Sequence, residues 1–330
     1  SHIIGRGRKL GTMEMLEEIP VVDFSAYSLD VERTENVDTE AQNKLSREIY
    51  HAFSTIGFVY LRNHGISRDQ VDAAFRTANA FFQLPDEQKR KYKKPDNHYV
   101  HGYIGIAGER VNPERPGDLK EMYNVSPGLA KAWPDVELPQ FRIDIMKFFN
   151  KCHRLALRML EIIALSLDMK DRKFFVNCHQ QIKSENNTTT LRLLHYPPLP
   201  PGHCIQPGQL RLGEHSDYGT MTLLFQDDVG GLEVRRRDGT FIAARPIPDT
   251  ILVNISDAMQ RWTADKLVST IHRVLIPEEE VRRGRSRQSI AFFVNPDSTT
   301  LIQPFDGSTK YPPVYHKDYL KHIFDKTYNE

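Results

Sequence analysis

The chain has 330 residues, of which 39% are hydrophobic and 26% charged. That is a packed globular composition, and it excludes a disordered, collagen-like or coiled-coil protein. The 44 Lys and Arg nearly cancel the 43 Asp and Glu, leaving +1, so no global field draws the chain onto nucleic acid or an anionic membrane.

The most apolar stretch, Met159 to Leu167, is broken by Glu161 and is too short to span a bilayer. Cys152, Cys178 and Cys204 form no CxxC pair and cannot all pair with one another, which argues against structural zinc and a disulfide framework. No apolar signal-peptide core follows the basic residues Arg6, Arg8 and Lys9. The expected setting is therefore reducing and cytoplasmic, with neither nucleic acid nor membrane as partner.

Ile19 to Phe24 reads as a short strand. Thr39 with Gln42 makes a capping box ahead of a helix carrying Leu45, Ile49, Ala52, Phe53 and Ile56, ended by Gly57. A strand at Phe58 to Leu61 follows, then a helix capped by Ser67 and Gln70 and stopped by Pro85. From Lys93 to Pro139 alternating Pro and Gly describe a long loop, interrupted by one strand at Lys120 to Val125. A loop of that length borders a pocket more often than not. His98, His101 and Tyr103 fall in it and are expected to be solvent-exposed. A long amphipathic helix spans about Pro139 to Leu167.

Beyond it the pattern changes to period two. Strands are expected at 191–196, 220–225, 232–236, 241–244, 250–255, 268–276 and 289–294, with hairpin turns at Gly230-Gly231 and Asp238-Gly239. Many short strands joined by turns describe an antiparallel sandwich or barrel. The class is α+β: residues 12–135 form a helical and strand region packing on a barrel domain at 136–330. A last helix, Tyr315 to Thr327, is placed either over the barrel mouth or at a dimer contact, the expected state being monomer or homodimer.

One segment carries chemistry. In Gly213-Glu214-His215-Ser216-Asp217-Tyr218-Gly219 the His and Asp are two apart and project from one face of a strand or its end. His272, 55 residues beyond Asp217, supplies a third ligand. Two His and one carboxylate make the facial set of non-haem Fe(II) oxygenases, which leaves three coordination positions open. An isolated HxD is commonly a surface turn and a lone strand His commonly a satisfied core residue. Their company decides between the readings. Arg287 and Ser289 share a face at the start of an apolar strand, a guanidinium and a hydroxyl suited to a carboxylate. A Ser-His-Asp triad is excluded, because Ser216 points away from its two neighbours.

The strings Leu191 to Pro198, Gly213 to Phe225, Gly230 to Val234, Val253 to Asp257, His272-Arg273-Val274 and Arg287 to Phe293 resemble the isopenicillin N synthase-like family of 2-oxoglutarate- and Fe(II)-dependent dioxygenases. The ordered set HxD, HRV and RxS is specific where each member alone is not. The resemblance implies a double-stranded β-helix (jelly roll) with flanking helices. It implies Fe(II) held by His215, Asp217 and His272, and 2-oxoglutarate held by Arg287 and Ser289 beside Tyr196. O2 and a small molecule would be co-reactants, and ascorbate a stimulant. Leu194-His195-Tyr196-Pro197 stands where many plant members carry Asn-Tyr-Tyr-Pro, a wording more like the thymine 7-hydroxylase type, whose matching substrate positions are Arg192, Tyr218 and Phe293. The implied reaction is hydroxylation of an unactivated C–H, with a pyrimidine as leading substrate. The alternative is an Fe(II) oxidase of the same family acting by desaturation or ring closure on a carboxylate-bearing molecule.

Overall fold

The computed structural model describes residues 17–31, 39–95, 101–105, 120–198, 210–276 and 284–328, with side chains up to Ile323. Arg6, Arg8, Lys9, His98 and Cys204 lie outside these. No helix among the described residues is long and apolar enough to cross a membrane.

In chain order, β1 (Val21–Asp23), α1 (Thr39–Ser54), β2 (Phe58–Arg62), α2 (Arg68–Phe82), α3 (Asp86–Arg90), β3 (Gly102–Ile104) and β4 (Glu121–Val125) precede the long α4 (Phe141–Ser166) and the short α5 (Phe174–Asn177). Then come β5 (Thr190–Tyr196), β6 (Leu210–His215), β7 (Met221–Gln226), β8 (Leu232–Arg235), β9 (Phe241–Ala243), β10 (Ile251–Ile255) and α6 (Asp257–Trp262). The chain closes with β11 (His272–Leu275), β12 (Arg287–Val294), β13 (Leu301–Ile302), β14 (Val314–Tyr315) and α7 (His316–Tyr328). The Ser67 box at the start of α2 is present: its hydroxyl accepts from the Gln70 N–H at 3.2 Å, and Gln70 Oε1 accepts from the Ser67 N–H at 3.0 Å.

Eight strands form one sheet in the order β1-β2-β10-β7-β12-β5-β4-β3, and four form a second, β6-β11-β8-β9. All pairs are antiparallel except β1 with β2. The larger sheet thus draws strands from both halves of the chain. Its two faces are assigned by residue parity. Ile290, Phe292, Val294, Leu191, Leu193, Leu223 and Val253 enter the core shared with α4, where Phe149 meets Phe292 edge-on at 5.1 Å. Their alternates Arg287, Ser289, Ala291, Phe293, Arg192, Leu194, Tyr196, Thr222 and Asn254 therefore point into the space between the two sheets. A slip of one residue would exchange the two sets.

Besides short elements that the sequence did not announce (β3, β6, β13, β14, α3 and α5), the structure departs from sequence expectation as follows. His101 and Tyr103 are buried, not exposed: β3 pairs with β4, His101 bonds the Tyr123 hydroxyl at 2.7 Å, and Tyr103 bonds Glu121 at 2.6 Å. Residues 268–271 are not strand. The Val268 N–H bonds Phe53 O and the Thr270 hydroxyl bonds Ile56 O, tying this segment to the end of α1. Gly57 makes that approach feasible: its φ is +77°, and a Cβ there would lie 2.4 Å from Val268 O. Finally, Asp257 to Trp262 forms a helix turn that the strand pattern before it did not announce.

Three buried histidines are kept neutral by burial. His101 and His179 are pushed down to about 4, and His316, neither of whose ring nitrogens has a hydrogen-bond partner, to about 3, against an ordinary 6.5. Each folded value lies below the unfolded one, so the unfolded chain takes up protons first and stability falls as pH drops below 6.5. At pH 5 the loss should approach about 2 kcal/mol per fully buried group. Denaturant melts at pH 7 and pH 5 should show that fall, and His316→Leu, which removes no hydrogen bond, should reduce it.

Candidate metal centre and its cavity

His215 closes β6 and His272 opens β11, and the two are directly paired across the smaller sheet. Their rings lie 4.3 Å apart between centroids, and Phe58 meets His272 edge-on at 5.4 Å. Asp217 lies two residues past the end of β6, before the chain enters β7 in the other sheet. Its Oδ1 is 3.6 Å from His215 Nε2 and 3.4 Å from His272 Nε2. The three donor atoms lie within 4.8 Å of one another.

The remaining polar atoms of the cluster are already committed. His215 Nδ1 lies 2.8 Å from Gly213 O and His272 Nδ1 lies 3.0 Å from Thr270 O, so each Nδ1 carries the proton and each Nε2 lone pair faces Asp217. Asp217 Oδ2 accepts from the Thr222 hydroxyl and from Asn254 Nδ2, both at 2.8 Å, leaving Oδ1 for the imidazoles. Burial alone would raise the Asp217 carboxyl, but the imidazoles and Asn254 outweigh it and hold the group well below the usual carboxylate range. Burial lowers His215, whereas His272 is raised because Asp217 overcomes its burial. Two neutral imidazole nitrogens and one carboxylate oxygen, convergent and desolvated, fit a divalent cation of intermediate softness.

Asp257 braces the ligand-bearing loop. Its carboxylate accepts from Ser216 at 3.0 Å and from Ser269 at 2.6 Å, and its N–H donates to Asp217 O at 2.8 Å. One side chain on α6 therefore joins the turn between His215 and Asp217 to the segment that delivers His272.

On β12 and β5, Arg287 pairs with Tyr196 and Ser289 with Leu194. Arg287 is buried, donates from Nε to Gly230 O at 2.9 Å, and lies 5.4 Å from the Tyr196 ring centroid. A second buried guanidinium, Arg211, lies 5.6 Å from the same centroid and donates to Pro197 O at 3.1 Å. Burial brings Arg211 down to about 10, with Arg287 adding to the effect. Sequence reasoning missed Arg211, which lies on β6 where the register with β11 shifts and breaks simple alternation with His215.

A cavity of about 380 Å³ takes in His215, Asp217, Tyr196, Arg192, Tyr218 and Phe293, together with Leu320 of α7, which places the last helix at the cavity mouth. Arg287, Ser289 and His272 are not among its lining residues. Arg192 Nε donates to Asn124 Oδ1 at 2.9 Å, and its guanidinium stands 5.0 Å from the Phe293 ring centroid. Asn124 comes from β4, whose register is fixed by buried Glu121, the acceptor for Lys89 at 2.9 Å and the partner of His195 at 3.0 Å. The long Pro- and Gly-rich segment thus does border the pocket, through Lys94, Ile104, Lys120, Met122 and Asn124.

Comparison with known proteins agrees with this geometry. A family model described as the non-haem dioxygenase in morphine synthesis N-terminal region matches residues 19–141, and the 2OG-Fe(II) oxygenase superfamily model matches residues 187–296. A 2-oxoglutarate-Fe(II) type oxidoreductase, ppzD, of Metarhizium rileyi is 36% identical over 78% of this chain and 77% of its own length. The proline hydroxylase buaE of Petromyces alliaceus is 37% identical over 83% of this chain and 90% of its own. The crystal structure of the full-length thymine 7-hydroxylase of Neurospora crassa in complex with alpha-KG and thymine superposes with a TM-score of 0.82 at 32% identity, covering 94% of this chain and 97% of that one. The chain belongs to the 2OG-Fe(II) oxygenase superfamily and is an Fe(II)- and 2-oxoglutarate-dependent dioxygenase with a jelly-roll core.

Proposed function

We propose that the protein hydroxylates an unactivated C–H of a small planar molecule, a pyrimidine before others, with residues 12–135 packing on the catalytic barrel of 136–330. His215 Nε2, Asp217 Oδ1 and His272 Nε2 are the iron ligands, and Arg287 with Ser289 and Tyr196 receives the distal carboxylate of 2-oxoglutarate. The observation that carries this is the commitment of every other polar atom in the triad: two Nδ1 protons to backbone carbonyls and one Asp217 oxygen to Thr222 and Asn254. What remains is three donors on one side of a single point. Similarity to a thymine-bound structure, with Arg192, Tyr218 and Phe293 at the cavity wall, supports a planar substrate.

When bound, iron and 2-oxoglutarate supply the oxidising power: one oxygen atom of O2 goes to succinate as CO2 leaves, and the other enters the substrate C–H bond. The protein's own part is positional. Thr222 and Asn254 prevent Asp217 from rotating, and Asp257 keeps the His215–Asp217 turn against the strand of His272. Leu212, Leu320 and Phe293 keep water from the cavity wall.

Asp217→Ala should abolish succinate formation, since it leaves two neutral donors; unchanged succinate release sinks the ligand assignment. Thr222→Val combined with Asn254→Leu should weaken metal binding roughly 10- to 100-fold by freeing the carboxylate, as read by Co(II) titration. Arg287→Ala should raise the 2-oxoglutarate KM by about ten- to a hundredfold, because a charge-assisted fork is worth ~1.5–3 kcal/mol. Its iron requirement should hold; an effect on iron alone contradicts the Arg287 role. Thymine and related pyrimidines should raise succinate release above the substrate-free rate.

A further inference from the structure

The smaller sheet carries a ladder of charges that the site's own chemistry does not use. Glu214 on β6, Arg273 on β11 and Glu233 on β8 stand side by side, and the first two each adjoin a candidate iron ligand in sequence. By strand alternation Arg273 faces away from the side on which His272 and Val274 are buried. It donates from Nε at 3.0 Å and from Nη2 at 2.8 Å to Glu233 Oε1, and from Nη1 at 3.2 Å to Glu214 Oε1. Its guanidinium carbon lies 3.6 Å from the ring centroid of Phe241 on β9. One side chain thus touches each of the other three strands of that sheet.

The two flanks of β11 differ. Toward β8 the register is regular: His272 opposes Val234, Arg273 opposes Glu233 and Val274 opposes Leu232. Toward β6 it is not. His272 opposes His215 but Val274 opposes Leu212, so β6 advances three residues while β11 advances two, and a second shift follows at Leu275. Gly213 and Glu214 therefore share the place opposite Arg273. A bulge of this kind disrupts the ladder of backbone hydrogen bonds and re-aims the side chains beside it. This one adjoins His215, and the carbonyl that receives the His215 Nδ1 proton at 2.8 Å is Gly213 O, inside the bulge. Where the backbone ladder is interrupted, the grip of Arg273 on Glu214 restrains the peptide that aims the ring.

We propose that Arg273 is a positioning residue for the metal centre. Anchored on the regular β8 flank, it holds the Glu214 bulge, and through Gly213 O it sets the direction of His215 Nε2. This rests on the ligand assignment above and goes beyond it. Partly exposed ion pairs contribute little to stability, so the effect falls on geometry more than on folding. Its sign separates it from electrostatics: removing a cation near a metal position would by charge alone tighten metal binding, whereas loss of positioning loosens it.

The test titrates the full chain with Co(II) in the presence of 2-oxoglutarate, reading affinity by calorimetry and ligand geometry by visible absorption. Arg273→Gln and Glu214→Ala should each weaken Co(II) binding by roughly tenfold and shift the absorption bands, as loss of a ligand's supporting contacts does. The combined variant should bind no more weakly than either single one, because both break one contact. Arg273→Lys, which keeps the charge but not the fork, should recover part of the affinity. Thermal melts of the metal-free variants should stay close to the native one. The inference is overturned if Arg273→Gln binds Co(II) as tightly as the native chain or more so, if the bands do not move, or if the two single effects add. Should Arg273→Gln not fold, Glu214→Ala is compared with Glu214→Gln, which keeps an acceptor of the same length: part of the affinity should return, and an equal loss in both marks charge alone and overturns the inference. A native chain that binds no Co(II) overturns the ligand assignment, and this inference with it; native binding that the variants leave intact overturns this inference alone.

Discussion

The site depends on how one carboxylate is divided. Asp217 Oδ2 is saturated by Thr222 and Asn254, and Oδ1 is shared between two imidazole nitrogens. A buried carboxylate free to rotate would place either oxygen toward either histidine and would carry a desolvation cost met by no fixed partner. Dividing it removes that freedom. The partners come from β7 and β10 in the larger sheet, whereas the histidines come from β6 and β11 in the smaller one. The metal position is thus where the two sheets of the sandwich are stitched together, and Asp257 adds a second stitch through Ser216 and Ser269.

That arrangement explains which parts of the site could be read from sequence. His215, Asp217 and His272 were legible, because strand alternation puts i and i+2 on one face and their residue types leave few other chemistries. Arg287 and Ser289 follow the same alternation, and the structure keeps both buried on the face opposite the α4 core. Arg211 lies where the β6–β11 register shifts, so alternation does not announce it, and a single arginine in a polar-looking stretch reads as surface until the strand pairing is known. Asp257 was invisible in principle: its role joins residues 216 and 269, a relation that no periodicity carries.

The fold shows a similar division. The strands that period-two patterning placed in the second half lie within a residue or two of their expected bounds, apart from the opening of 268–276, whereas β6, β13 and β14 were not among them, and α4 follows its apolar spacing. The failures share one cause, tertiary contact overriding local texture. Val268 to Ile271 has strand composition, yet its groups are taken by Phe53 and Ile56 through the opening that Gly57 provides. His101 and Tyr103 sit in Pro- and Gly-rich sequence that looks solvated. Pairing with β4 buries them against Tyr123, Trp133 and the Glu121 network.

Electrostatics sets apart the two ends of the space between the sheets. At one end, buried Asp217 and two neutral imidazoles make a position that gains most from a cation. At the other, Arg287 and Arg211 flank Tyr196 and are desolvated together, strongly enough to draw Arg211 down to about 10. Holding two guanidiniums close to each other out of water costs folding energy, which an arriving carboxylate offsets. A molecule bearing a chelating head and a distal carboxylate answers both ends at once, whereas a monoacid or a bare metal answers one. On the proposed cosubstrate reading, preference for a dianion would follow from placing opposite charges, both desolvated, at the two ends of that space.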